Sequence, residues 1–182
     1  MNISGLLLRL SGWRVKVSVP DYPRLLICVA PHTSNWDFIL CELAIRSIGR
    51  HSGFLMKESW FFWPLGCFFR SIGGVAVPRR NPGSASLTDF LINKFRSSER
   101  LTIAITPEGT RSRTAKWHTG FLRIAMEANV PLALAALDFR TKEISMERTF
   151  TPTGDIDADM RSIKDYYARF TGKYPEKFTT DD

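Results

Sequence analysis

The stretch LLICVAPHTSNWDFILCELA, residues 25–44, holds a change of pattern that decides the fold. Leu25 to Ala30 is a short unbroken apolar run, the mark of a strand buried on both faces. Pro31 ends it. Ser34 or Asn35 then caps a helix whose apolar positions include Trp36, Ile39, Leu40, Leu43 and Ala44, and Gly49 and Gly53 punctuate its end. A buried strand, a polar turn and an amphipathic helix together form the repeating unit of a parallel sheet.

The same pattern recurs downstream. Leu101 to Ile105 reads as a second buried strand, followed by a loop over 106–119 and a helix from about Gly120 to Ala128. Val130-Pro131 leads into a strand at 132–137, and Ile144 to Phe150 alternates weakly, as an edge strand does. Val75 to Val77 is a short strand after the Gly73-Gly74 turn. Ser84 or Ser86 opens a helix with Leu87, Phe90, Leu91 and Phe95 on one face. A last helix, after the Thr151–Gly154 turn, places Ile156, Met160, Ile163, Tyr167 and Phe170 together. With no repeat, linker or low-complexity tract, the expected fold is a single α/β domain over 1–182. It is a layered fold, with a mostly parallel central sheet flanked by helices. Such sheets bind ligands beyond the carboxyl ends of their strands.

Composition narrows the class. Hydrophobic residues make up 44% and charged residues 24%, which excludes a disordered chain. The 25 Lys and Arg exceed the 18 acidic residues, for a formal charge of +7, so anionic partners are expected: headgroups, phosphorylated metabolites, acidic carriers or nucleic acid. Cys28, Cys41 and Cys67 form no CxxC pair and sit among apolar residues, as buried free thiols do. No stretch supplies the roughly 20 apolar residues of a transmembrane helix, and residues 3–10 lack the flanks of a secretory signal. Leu6, Leu7, Leu10, Trp13 and Val17 follow a helical spacing beside Arg9, Arg14 and Lys16. This makes residues 1–20 a candidate membrane-contacting segment or a terminal helix packed on the core.

Two polar segments follow the buried strands. In the first, His32 precedes Asp37 by five positions; a histidine is a general base near neutral pH, and a carboxylate can orient its ring. Asp37 also suits a plain capping box with Ser34. In the second, Thr106-Pro107-Glu108-Gly109-Thr110-Arg111-Ser112, the Arg111 guanidinium can fork onto a phosphate and Gly109 permits close backbone approach, although Pro107 and Gly109 equally suit an ordinary turn.

Taken together, the two segments resemble the glycerolipid acyltransferases, best known from the 1-acylglycerol-3-phosphate acyltransferases. HTSNWD carries that family's H-x4-D motif and PEGTRS its second signature. Gly74 to Arg79 resembles its second block, Val130-Pro131 its fourth, and Lys57-Glu58, Pro64 and Gly66 the stretch before the second block. The likeness runs from about Leu25 to Asp138. Pro31, Pro78, His118 and Ala133 depart from the commoner residues. The PHTSNWD form and the Trp117–Phe121 segment resemble a bacterial subgroup of small family proteins.

The resemblance implies a glycerol-3-phosphate acyltransferase-like fold and acyl transfer from acyl-CoA or acyl-carrier protein to a hydroxyl of a lysophosphatidic-acid-like or other lyso-lipid. His32 would serve as general base, oriented by Asp37. Arg79, Glu108, Gly109, Thr110 and Arg111 would bind the acceptor's polar head. No cofactor or metal is implied. Oxyanion donors are expected among backbone amides near the N-terminus of the first long helix. Peripheral attachment to the cytoplasmic face of the inner membrane follows from the amphiphilic substrates. Trp60, Phe61, Phe62, Trp63, Phe68 and Phe69 are either core or a surface facing lipid. Three other classes compete: a catalytically idle lipid- or anion-binding module, a metal phosphohydrolase on His32, Asp37 and Glu108, and a nucleic-acid binder. With only three histidines and no H-x-H or H-E-x-x-H pattern, metal ligands are scarce, and no nucleic-acid-binding motif is present.

Overall fold

The apolar runs of residues 24–30, 101–105 and 132–138 lie side by side at the centre of one sheet. The structure, a computed structural model, describes residues 2–77 and 86–181. In chain order its main elements are α1 (Ile3–Leu10), β1 (Arg14–Val17), β2 (Arg24–Ala30), α2 (Asn35–Ser47), β3 (Gly53–Lys57), α3 (Leu65–Ser71) and β4 (Gly74–Val77). They continue with α4 (Leu87–Ser97), β5 (Leu101–Ile105), α5 (Gly120–Glu127), β6 (Leu132–Asp138), β7 (Glu143–Phe150) and α6 (Ile156–Tyr167). Among the described residues the sheet has seven strands, ordered β1-β7-β6-β2-β5-β3-β4. The β6–β7 pair is antiparallel and every other pair is parallel. The single-sheet, mostly parallel α/β architecture is therefore the one the sequence pattern implies.

β2 shows why its run is continuously apolar. Leu26, Cys28 and Ala30 face one layer, with Ile103, Leu132, Leu134 and Ala136 from the sheet and Leu91, Phe95, Phe121, Leu122, Ile163 and Tyr167 from α4, α5 and α6. Leu25, Ile27 and Val29 face the other, with Leu8 of α1 and Leu40, Ala44 and Ile45 of α2. A strand buried on both faces needs apolar residues at every position rather than at alternate ones. Local polar contacts start the helices. Ser86 accepts from the Asp89 amide at 3.1 Å, which selects Ser86 as the cap of α4, and Asp155 accepts from the Ala158 amide at 3.0 Å to start α6.

From β2 the chain crosses through α2 toward β3, and from β5 it returns through α5 to β6, on the other side of β2. Helices leaving β2 and β5 thus cover opposite faces, and the cleft where their outgoing loops part is the site where open α/β sheets take ligands.

Several expectations are corrected. The helical spacing from Leu6 to Val17 breaks at Gly12, which adopts φ +80; Trp13 turns into the core and residues 14–17 form β1, parallel to β7. β7 is consequently not an edge strand. Cys67 is exposed, not buried. Phe61 and Phe69 are half-buried, but Trp60, Phe62, Trp63 and Phe68 project from the surface, so packing in the core is the wrong reading for those four. β3 and α3 carry no expectation from the sequence. Arg79 lies outside the described residues.

The Tyr167 hydroxyl donates to the Cys28 carbonyl at 2.7 Å inside the core, tying α6 to β2. Tyr167→Phe removes that bond while keeping the ring, and a loss of about 1 kcal/mol in unfolding free energy is expected, read as a lower urea midpoint; an unchanged midpoint would show the bond contributes nothing net.

Candidate active site

The two polar segments meet at the carboxyl ends of β2 and β5. Asp37 lies in the first turn of α2 and is 2% exposed. A carboxylate so placed must find donors or remain protonated. It finds four: the Thr33 amide at 2.6 Å and the Ser34 amide at 2.7 Å on Oδ2, the Ser34 hydroxyl at 2.7 Å on Oδ1, and Nδ1 of His32 at 3.4 Å from Oδ2. Burial opposes ionisation, but the bonds from His32, Ser34 and Thr33 outweigh it and hold the carboxyl below its usual range. The loop over 32–34 therefore curls around a buried anion at a helix N-terminus, and the curl brings the His32 ring onto that anion. With Nδ1 engaged, Nε2 is the ring nitrogen left for a substrate proton.

Glu108 braces the loop from the other side. Its Oε1 accepts the His32 amide at 3.1 Å, and its Oε2 is buried with no partner among the described residues. Burial pushes its carboxyl up to about 8, opposed by the His32 amide and reinforced by the negative charge of Asp37. A neutral carboxyl fits this position, because a second anion beside Asp37 would have only the His32 amide as donor.

Beyond Glu108 the loop turns outward. Gly109 adopts φ +64, the backbone shape that favours glycine, and a Cβ there would lie 2.6 Å from Cδ2 and Nε2 of the exposed His118 ring and displace it. His118 is held by its amide, which donates to the Pro107 carbonyl at 2.7 Å. Thr110 is half-buried and Arg111 is exposed, with no ion-pair partner among the described residues. The expected site residues thus part into two groups: His32, Asp37 and Glu108 interlock, whereas Gly109, Thr110 and Arg111 line the adjoining rim. The amides of His32, Thr33 and Ser34 serve the two carboxyls, which removes them from the expected oxyanion donors. Among the described residues no group of three or more His, Cys, Asp or Glu is arranged to hold a metal ion.

A family model described as Acyltransferase matches residues 14–136, which span β1 through β6 and include both polar segments. The chain belongs to the acyltransferase family. It is also similar to a 1-acyl-sn-glycerol-3-phosphate acyltransferase from Limnanthes douglasii, at 23% identity over an alignment 192 positions long. The alignment takes in 92% of this chain and spans 66% of that relative's length. The family match includes His32, Asp37, Glu108, Gly109, Thr110 and Arg111.

Sequence reasoning missed the backbone contributions of Thr33 and Ser34. The capping-box spacing pointed to Ser34 and its hydroxyl, but the Thr33 and Ser34 amides also bond to Asp37, and backbone groups carry no side-chain signal. It also missed the burial of Trp117 against Tyr167 and Phe178, and the C-terminal segment beside Thr33.

Glu108 makes stability depend on pH in an unusual direction for a carboxyl. The folded chain keeps its proton up to about pH 8, while the unfolded chain loses it near the ordinary value of about 4.5. Between these limits the folded state binds more protons, so this contribution to stability falls as pH rises. Melting curves of the parent and of Glu108→Gln across that window should converge at the acid end and separate at the alkaline end, with the Gln variant declining less. Parallel curves would mean that Glu108 is ionised throughout.

Proposed function

We propose that this protein transfers a fatty acyl group from a thioester, acyl-CoA or acyl-carrier protein, to a hydroxyl of a lysophosphatidic-acid-like or other lyso-lipid acceptor. The observation that carries the proposal is the His32–Asp37 pair, Nδ1 to Oδ2 at 3.4 Å, at the switch point of a sheet in an acyltransferase-family chain.

Nε2 of His32 takes the acceptor's hydroxyl proton as the oxygen attacks the thioester carbonyl. Asp37, already ionised, stabilises the imidazolium that forms. Collapse of the tetrahedral intermediate breaks the carbon–sulfur bond. The imidazolium returns its proton to the departing thiolate, giving free thiol and acylated product. No G-x-S-x-G elbow offers a serine nucleophile, so direct transfer in a ternary complex is the route the residues favour. Arg111, with the Gly109 and Thr110 backbone and Arg79, binds the acceptor's phosphate or polar head. Glu108 supports His32 from within; its burial favours this role over the substrate contact expected of it.

The surface around the site supports peripheral attachment to a membrane. Trp60, Phe62, Trp63, Leu65 and Phe68 are exposed where the chain leaves β3, at the same end of the parallel sheet as His32. Ile3, Leu6, Leu7 and Leu10 are exposed on α1. Tryptophan and basic residues together suit a bilayer interface. Among the described residues no helix is long and apolar enough to cross a membrane.

The decisive test is a mass-spectrometric screen of lyso-lipid and other hydroxyl acceptors against acyl-CoA and acyl-carrier donors in reconstituted membranes. His32→Ala should lower kcat by about 10²–10⁴. Asp37→Asn should reduce it at least about tenfold, with melting curves confirming that the variant is folded. An Asp37→Asn protein as fast as its parent would sink the catalytic reading and leave a lipid- or anion-binding module. In a separate experiment, the double substitution Trp63→Ser and Phe68→Ser should weaken co-sedimentation with phosphatidylglycerol vesicles; equal binding would move the membrane contact elsewhere.

A further inference from the structure

The family match ends at residue 136, yet the chain returns to the site after α6. There the backbone is anchored to the end of β6: the Phe139 amide donates to the Thr171 carbonyl at 2.9 Å, and the Thr171 amide to Oδ1 of Asp138 at 3.4 Å. The next residues press on the His32 loop. Gly172 is buried, and a Cβ on it would lie 2.8 Å from Cγ2 of Thr33, 3.0 Å from its Oγ1 and 3.2 Å from Cβ of Pro31. The Tyr174 amide donates to Oγ1 of Thr33 at 3.3 Å, and the Lys173 ammonium sits 5.0 Å from the centre of the Trp36 ring. Thr33 itself is 1% exposed.

We infer that residues 171–174 form a positioning strap, with Gly172 its key residue, that sets Thr33 and through it the Asp37 carboxylate. The inference rests on the reading of His32 and Asp37 as base and orienter. The strap meets the side chain of Thr33, and Asp37 meets its amide, so one buried residue is held from both sides. Gly172 is not among the glycines with positive φ, so its backbone conformation would accept alanine; the contact with Thr33 is what excludes a side chain. Thr33 is β-branched, stiff and enclosed, and cannot swing clear as the tip of a long side chain would. A methyl group added at Gly172 therefore has to displace the Thr33 backbone or lift the strap. Either movement alters the 2.6 Å bond from the Thr33 amide to Asp37 and the angle at which the carboxylate meets His32. Gly172 and Tyr174 act through Thr33 and touch no substrate, which makes them positioning residues.

The test compares the full-length parent with Gly172→Ala, Thr33→Ser and the double variant, since Thr33→Ser removes Cγ2, the atom closest to the added methyl. Gly172→Ala should lower kcat about tenfold while KM stays within about twofold, because small misplacements of a catalytic pair cost rate rather than binding. In proton–nitrogen spectra, the Thr33 and Ser34 amide signals, which bond to a carboxylate, should move in Gly172→Ala. In the Thr33→Ser background the penalty of Gly172→Ala on kcat should shrink, a coupling expected only of groups in contact. Urea midpoints establish that each variant is folded. Parental kcat and unmoved amide signals in Gly172→Ala would overturn the inference. So would a rate loss that is the same with threonine or serine at position 33. If the parent transfers no acyl group, or His32→Ala keeps full activity, the reading of the pair has failed. The amide signals then decide the strap alone, shifted if it sets Thr33 and fixed if it does not.

Discussion

A carboxylate that is 2% exposed governs the architecture of this site. Asp37 stays ionised only because four donors converge on it, and three of the four belong to Thr33 and Ser34, in the turn between β2 and α2. Meeting that demand fixes the conformation of the turn, and the turn then carries His32 into contact. The same carboxylate sits in the first turn of α2, where the exposed N–H groups of a helix favour negative charge. Helix capping and orientation of the histidine are thus one arrangement rather than competing uses of Asp37.

The second buried carboxyl has the opposite state for the same physical reason. Glu108 receives one backbone donor, from His32, and leaves Oε2 with none among the described residues. Desolvation dominates, and its pKa rises to about 8. Two neighbouring acids thereby hold one negative charge between them near neutral pH, placed where it faces the histidine. The turn after β2 is consequently clamped by β5 through Glu108, by α2 through Asp37 and by the C-terminal segment through Gly172 and Tyr174. Arg111 and Thr110 are then available at the rim, away from the interlocked core of the site.

Much of the fold was legible because burial on both faces leaves a plain signature. Residues 25–30, 101–105 and 132–137 are apolar at nearly every position, and each is a central strand. The misreadings come from places where local pattern and environment diverge. Leu6 to Val17 keeps a helical spacing, but Gly12 turns the chain and β7 offers residues 14–17 a strand partner. The aromatic residues of 60–69 look like core by composition, and four of them are exposed. Hydrophobicity records what a side chain can tolerate, whereas exposure depends on which other elements arrive beside it.

By itself the sequence determined the three central strands and the helices beside them, the two polar segments at strand ends, and the pairing of His32 with Asp37 as a candidate base and carboxylate. These follow from local spacing and side-chain chemistry, which travel with the chain. Only the tertiary structure decided that the Glu108 carboxyl is buried and accepts the His32 amide, that the Thr33 and Ser34 amides belong to Asp37, and that Gly172 lies against Thr33. Those contacts join residues 76 and 139 positions apart, or use backbone groups that every residue type shares. Neither leaves a periodicity or a distinctive side chain to read.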